Sequence, residues 1–230
     1  MKRFYKEAAS AAVDGGFEVR LDGRSLRSPA KAPLILPTGA LADAIAAEWQ
    51  EQGEQVIPDS MVLMQLAATA VDVVAVKRAE IVAGVAKYAE TDLLCYRAEH
   101  PEALVERQNR HWQPLLDWAT HRFDASLHIA AGLMPRPQPA DALHALERAV
   151  DSYGHWHLSA LQSATASCGS LIVALALAEG RVSADEAFDI SQIDETFQIE
   201  KWGEDAESTR RRAGLRRDIG AAGRFLALLG

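Results

Sequence analysis

The chain has 230 residues, of which 49% are hydrophobic, and it carries a formal net charge of −8. This length and hydrophobic fraction are typical of a globular protein with one large domain or two modest ones. The negative charge argues against nucleic acid as the main partner, because phosphate binding relies on a basic surface.

The first sixty residues predict a small domain that combines strands with a helix. Phe17–Leu21 alternates apolar and polar side chains, the period of a half-buried strand, and turn signals flank it at Asp14-Gly15-Gly16 and Asp22-Gly23. Thr38 can cap a following helix that has one apolar stripe. We therefore expect an N-terminal, strand-rich α+β domain over residues 1–60.

Residues 61–230 predict a larger all-α domain, because apolar residues at helical spacing dominate from Met61 onward. Residues 61–76 are apolar nearly all round, which is typical of a buried helix. Apolar residues from 158 to 175 alternate spacings of three and four, which predicts one central helix of a bundle. The predicted fold class is thus α+β, with the strand-rich domain followed by the helical one.

The stretch from Ser183 to Gly203 predicts a helix with an unusual face. Ser183 and Glu186 have the spacing of a capping box, and Gly203 suits the C-terminal cap. Helical spacing predicts that five residues share one face: Phe188, Gln192, Glu195, Ile199 and Trp202. A buried, unpaired carboxylate is costly. Glu195 therefore either pairs with a nearby arginine within the core or is the centre of a recognition face for a partner.

A cluster of five arginines lies near the C-terminus, at positions 210, 211, 212, 216 and 217. Acidic residues precede it at Glu204, Asp205 and Glu207. This arrangement is typical of a solvated helix face whose charges pair with each other.

The motifs of the common enzyme classes are absent from the sequence. It contains no glycine-rich phosphate loop and no Gly-x-Ser-x-Gly turn. His155-Trp156-His157 does not indicate a metal site, since residues two apart on a helix point to different faces. Cys95 and Cys168 lie among apolar residues and are expected to be buried thiols in a reducing compartment. We therefore predict no catalytic residue, no metal and no cofactor.

The sequence predicts a protein that is not inserted into a membrane. The longest apolar run, Leu171–Ala178, is too short to cross a bilayer, and the N-terminus lacks the apolar core of a secretory signal. It also lacks an Arg- and Ser-rich transit peptide. A soluble, cytoplasmic protein, or a mature form that is already trimmed, is expected.

Several short motifs occur in order along the chain, namely Thr91–Arg97, Gln108 with Trp112, Asp194-Glu195 with Gln198, and Lys201-Trp202-Gly203. This ordered set resembles the family of assembly chaperones for the alpha subunit of ATP synthase, called ATP-twelve in yeast. The resemblance runs over nearly the whole chain. Two departures, Ser28-Pro29 for Thr-Pro and Met61-Val62 for Met-Pro, leave local geometry in the N-terminal domain open.

The resemblance implies a chaperone that works without ATP. It would hold the new alpha subunit, prevent its aggregation and give way to the beta subunit. A functionally important acidic residue of the family is carried by motif onto Glu195, with Asp194 as the second choice. Phe188 and Trp202 would supply contact area, and Gln198 completes the motif. A monomer in the cytoplasm of a bacterium is expected.

Two other classes of function stay open. The first is a hydrolase with a carboxylate-lined cleft between the two domains. Asp194 and Glu195 diverge on a helix, which weakens a two-carboxylate scheme, but a deep pocket lined by Asp92, Glu195 and a histidine would support it. The second is an adaptor with an unrelated partner. A pull-down separates the adaptor from the chaperone, since only the chaperone predicts recovery of the alpha subunit.

Overall fold

The N-terminal strands form a three-stranded antiparallel sheet in the order β1 (Ala8–Val13), β2 (Gly16–Leu21), β3 (Arg24–Ser25). In this computed structural model, which describes residues 1–131 and 136–230, Val13 pairs with Gly16 at the end of the first hairpin. Gly16 allows a close approach, because an added Cβ would lie 2.4 Å from the carbonyl oxygen of Leu36. The predicted hairpin and strand are confirmed.

Helix α1 (Gly39–Gln50) covers one face of this sheet. It begins as predicted, since the Thr38 hydroxyl oxygen accepts a hydrogen bond from the backbone N–H of Leu41. Near its end, the Glu48 carboxylate accepts from the backbone N–H groups of Leu63 and Met64, each at 2.8 Å. That carboxylate thereby fixes the start of α2 (Val62–Thr69).

Residues 61–76 differ from the continuous buried helix that was predicted. Helix α2 ends at Thr69, and a π-helical turn follows over Ala70–Val74, where Ala75 donates its N–H to the carbonyl of Ala70. Burial along the segment is uneven, since Val74 is 0% exposed whereas Val73 is 39% and Val76 is 74% exposed. The prediction that the whole segment is buried is wrong.

The rest of the described chain is mainly helical. After α3 (Arg78–Ala86), the short strands β4 (Tyr96–Arg97) and β5 (Ala130–Ala131) pair in parallel. The further helices are α4 (Glu102–Phe123), α5 (Ala140–Asp151), α6 (His155–Cys168), α7 (Leu171–Ala178), α8 (Ala184–Ser191), α9 (Ile193–Trp202) and α10 (Ala206–Leu229). The predicted α+β class, a small strand-containing region followed by a mostly helical one, is confirmed.

The described chain divides into two compact units. The first contains Met1–Arg78, Gly154–Ala160 and Arg224–Gly230, and the second contains Ala79–Tyr153 and Leu161–Gly223. Within the second unit, α4 packs against α5, α7 and α9. The domain boundary after residue 60 stays a prediction. None of the helices in the described ranges is both long and apolar enough to span a bilayer.

The segment from 158 to 175 is two helices and not the single helix predicted. Gly169 takes a left-handed conformation at φ 64° and ends α6, after which the Ser170 hydroxyl caps α7 by accepting from the N–H of Val173. The fully buried Asp92 reinforces this start. Its carboxylate accepts hydrogen bonds from the Ser170 hydroxyl at 2.7 Å and from the Ile172 N–H at 3.1 Å.

Candidate partner-binding surface

The stretch that was predicted as one helix, Ser183 to Gly203, bends at Gln192. The capping box of Ser183 and Glu186 is present and opens α8, and Gly203 ends α9. Gln192 itself has φ −111° and ψ 19°, which interrupts the helix and changes the direction of its faces. The prediction of one continuous helix is therefore wrong.

Because of this bend, Phe188 and Trp202 do not share a face. Phe188 is 3% exposed, whereas Trp202 is 79% exposed. The guanidinium carbon of Arg216 lies 4.3 Å from the centre of the Phe188 ring, and that of Arg212 lies 5.3 Å from it. Phe188 therefore supports two arginines of α10 from within, and the exposed aromatic surface is that of Trp202.

Glu195 is bound by the first turns of α10. Its Oε1 accepts a 2.7 Å hydrogen bond from the Ser208 hydroxyl, and its Oε2 lies 3.0 Å from Nη2 of Arg211. The hydrogen bond from Ser208 is the main cause that holds the pKa of Glu195 below its ordinary value, and Arg211 acts in the same direction. Glu195 thus pairs with an arginine, but the pair is not in the core, since 54% of the Arg211 side chain and 29% of the Glu195 side chain are exposed.

The arginine cluster pairs more widely than its local sequence suggested. Arg212 lies 3.5 Å from Glu204, as the solvated-face interpretation expects. Arg216 instead reaches Asp185 and Asp189 on α8. Asp205 pairs with none of these arginines in the described contacts and accepts from backbone N–H groups at the start of α10. The cluster therefore holds α10 against α8 and α9.

Asp194 faces α4, away from the arginine cluster. Its Oδ1 accepts a 2.7 Å hydrogen bond from Nε2 of Gln108, whose own Oε1 accepts from the N–H of Ala98. Burial raises the pKa of Asp194, and the hydrogen bond from Gln108 opposes that rise. Asp194 and Glu195 thus serve two different contacts, which agrees with their predicted divergence on the helix.

The buried Arg97 lies close enough to Asp194 to interact with its charge. Its guanidinium carbon is 5.2 Å from the centre of the Trp112 ring. In the described part of the chain, its Nε and Nη2 atoms have no hydrogen-bond acceptor. Burial lowers the pKa of this guanidinium. Such a group is unusual in a native core, because an unsatisfied charged donor is costly.

Two further contacts fix α8 and α9 on α4. Arg107 binds both carboxylate oxygens of Glu200 at 2.9 Å, and the Trp112 indole N–H donates to the carbonyl of Ile190 at 2.9 Å. These partners are 93 and 78 residues apart in sequence, so helical periodicity could not identify them. Gln198 is exposed on α9, as is Trp202. The exposed part of the predicted set is therefore Gln198 and Trp202, while 29% of the Glu195 side chain is exposed on the same helix.

The carboxylate considered for a hydrolase does not reach solvent. Asp92 is 0% exposed and accepts from the Leu94 N–H at 3.0 Å in addition to its bonds at the start of α7. Across residues 1–131 and 136–230, no three His, Cys, Asp or Glu side chains are grouped to hold a metal ion. Cys95 and Cys168 are buried free thiols, as predicted.

Three comparisons relate the chain to proteins of one family. The family model described as ATP12 chaperone protein matches residues 2–120, about half of the chain. The protein of Schizosaccharomyces pombe named "Protein atp12, mitochondrial" is 26% identical over 214 residues, which cover 88% of this chain and 74% of that protein.

Comparison with solved structures also relates the chain to Atp12 proteins. The crystal structure of Atp12 from Paracoccus denitrificans is 41% identical with a TM-score of 0.94 and covers 100% of this chain and 98% of its own. An aspartate-to-lysine mutant of that protein gives the same values. The Atu1473 protein of Agrobacterium tumefaciens is 42% identical with a TM-score of 0.93 and covers 100% of this chain and 86% of its own. The chain belongs to the ATP12 chaperone family.

Proposed function

We propose that this protein is an assembly chaperone for ATP synthase that binds the unassembled alpha subunit, shields its subunit interface and is displaced by the beta subunit. Membership of the ATP12 chaperone family supports the general role. The main support for this binding surface is the exposure of Trp202. This residue is 79% exposed at the end of α9, a helix that is otherwise well anchored. An exposed tryptophan is favoured at protein interfaces because it offers a large contact area.

The proposed mechanism is shielding without ATP. An unassembled subunit exposes apolar surface that its neighbour later buries, and such surface promotes aggregation. Trp202 and Gln198 supply contact, while the exposed edge of Glu195 meets a basic group of the client and sets the register. Phe188 is buried and does not contact the client, but its ring holds the guanidinium groups of Arg212 and Arg216 in place. Asp194 orients α9 through Gln108.

Release follows from competition. The chaperone needs an affinity for the alpha subunit that exceeds self-association of that subunit and falls below the affinity of the beta subunit. We infer that the protein acts as a monomer in the cytoplasm of a bacterium and catalyses no reaction. The similarity to the Paracoccus and Agrobacterium proteins supports the bacterial location.

The test is suppression of aggregation. Denatured alpha subunit is diluted into buffer with and without the purified protein, and light scattering is followed. The wild-type protein should suppress scattering, and added beta subunit should release the alpha subunit. Glu195→Lys should abolish suppression while its circular dichroism stays that of a folded protein. Full suppression by a folded Glu195→Lys variant would contradict the role of this carboxylate, and no suppression by the wild type would contradict the proposed client.

A further inference from the structure

A groove of about 760 Å³ lies between α4 and the α8–α9 segment, within the second unit. This volume is within the range of roughly 300–1,000 Å³ that is common for binding sites. Its floor includes the aliphatic side chains of Ala103, Val182, Ile190 and Ile193. Val182 and Ile190 remain partly exposed, so an occupant would remove apolar surface from water.

The groove is elongated. On α4 its lining recurs at Ala103, Arg107 and Arg110, which spans two helical turns or roughly 10 Å. The opposite wall extends from Val182 to Thr196. A groove that runs along a helix and has aliphatic residues at its floor fits an elongated partner with an apolar stripe. An amphipathic helix of a partner has that shape.

Some charged side chains on the groove walls already form ion pairs within the protein, and others do not. Arg107 is occupied by Glu200, and Asp189 by Arg216. Glu106 and Arg110, four residues apart on α4, are exposed, and their side chains form no ion pair or hydrogen bond with any residue in the described ranges. They therefore offer a pattern of one negative and one positive charge, one turn apart, along the edge of an apolar floor.

The groove also adjoins the proposed binding surface. Its residues Ile193 and Thr196 flank Asp194 and Glu195 on α9. The hydroxyl of Thr196 accepts a 3.2 Å hydrogen bond from Arg212 of α10. The groove and the proposed binding surface therefore share helix α9, with Ile193 and Thr196 on one side of it and Glu195 and Trp202 on the other.

We propose that this groove binds an amphipathic helix of the alpha subunit whose apolar stripe fills the floor, with a carboxylate that meets Arg110 and a basic side chain one turn away that meets Glu106. The inference rests on the proposed function and extends it from a contact surface to a specific mode of recognition. Opposite charges at this spacing give register and direction to the bound helix.

The experiment exchanges the two charges. The double variant Glu106→Arg with Arg110→Glu keeps the net charge and the composition of the wall but reverses its pattern. We expect the concentration for half-maximal suppression of alpha-subunit aggregation to rise roughly tenfold or more, because like charges then face each other. Glu7→Arg with Arg24→Glu, an exposed charge exchange in the first unit, is the matched control and should change this half-maximal concentration less than twofold.

A second variant tests the floor. Ile190→Glu should weaken suppression by a similar factor, with its folding checked by thermal melting. A photo-crosslinking residue at Ala103 should label a single segment of the alpha subunit that carries the expected stripe and charge pair. If the wild type suppresses aggregation and the exchanged variant does so equally well, the proposal that the groove binds the client is wrong and the proposed function stands. If the wild type does not bind the alpha subunit, both fail. Crosslinks only between two copies of the chaperone would also overturn the groove as a client site.

Discussion

The hydroxyl of Ser208 donates a 2.7 Å hydrogen bond to Oε1 of Glu195, so the beginning of α10 is tied to α9. Arg211 adds an ion pair, but its own side chain is 54% exposed. Exposed pairs of this kind contribute about 1 kcal/mol or less to stability. Glu195 is therefore more important for where α10 lies than for the stability of the whole protein.

Glu195→Gln should consequently lower the melting temperature by only about 2–4 °C, because an amide keeps an acceptor for Ser208 while losing the charge. Differential scanning calorimetry measures this change. Ser208→Ala, which removes the hydrogen bond and leaves the ion pair, is the companion variant. A fall of 10 °C or more in Glu195→Gln would instead identify the carboxylate as a core element of the fold.

Trp202→Ala should reduce client binding with almost no effect on folding. Because the ring is 79% exposed, its removal should change the free energy of unfolding by about 0.5 kcal/mol or less. At an interface, losing a tryptophan anchor costs about 2 kcal/mol or more, which is roughly 30-fold in affinity. Phe4→Ala, which removes a ring that is 64% exposed in the first unit, is the matched control. Equal losses in both variants would show that aromatic exposure alone, and not this position, governs binding.

Asp92 should make stability depend on pH. Burial raises the pKa of its carboxyl group to about 6, while its four hydrogen-bond donors oppose the rise. The folded state therefore binds the proton more tightly than the unfolded state, and the contribution of Asp92 falls as the pH rises through about 4 to 6. The shift corresponds to about 3 kcal/mol, which is available at pH 4 and lost at pH 7.

Asp92→Asn isolates this effect, because asparagine does not titrate. Urea unfolding at several pH values should show that the wild type gains about 3 kcal/mol relative to Asp92→Asn between pH 7 and pH 4. The variant should also be weakened at every pH, since its amide nitrogen faces a backbone donor. A difference that does not change with pH would mean that the carboxyl group titrates as it does in the unfolded chain.

Arg97→Met should change stability by about 2 kcal/mol or less, because it removes unsatisfied buried donors but also the positive charge near Asp194. Two guanidinium nitrogens of Arg97 lack acceptors among the described residues, and methionine can fill the space above the Trp112 ring with a favourable sulfur contact. Chemical denaturation gives the change in free energy. A loss above about 2 kcal/mol would instead show that the attraction between Arg97 and Asp194 outweighs the unsatisfied donors.

The features that the sequence predicted well are those encoded by neighbouring residues. Asp14 and Gly15 specify the hairpin, and the Thr38 hydroxyl reaches a backbone N–H only three residues ahead. The capping box of Ser183 and Glu186 is local in the same way. Such signals depend on backbone geometry over one turn, so they can be interpreted without knowledge of the tertiary fold.

The breaks in the helices were harder to predict, for two different reasons. Gly169 followed by Ser170 is a recognisable end-and-start signal, but the regular apolar spacing across it favoured one helix. Gln192 gives no such signal, since glutamine is a good helix former. The bend there is set by contacts with distant side chains, such as that of Arg212 to the Gln192 amide. Tertiary contacts therefore decided the conformation.

The candidate site was predictable only in part. Motifs singled out Glu195 and Trp202, but helical spacing placed the buried Phe188 on the same face. The partners of Glu195 lie 13 and 16 residues further along the chain on another helix, where no periodicity connects them. Sequence motifs were enough to identify these residues, whereas their exposure depends on how α8, α9 and α10 pack together.

Asp92 and Ser170 are 78 residues apart, yet each completes the other's hydrogen bonding. On the ribosome, a nascent chain that has emerged only as far as Cys168 leaves this carboxylate with no start of α7 to bind. The second unit should therefore close late in translation, and a fragment that ends before Ser170 should remain open to proteases. Formation of the second unit thus depends on a late step in the synthesis of the chain.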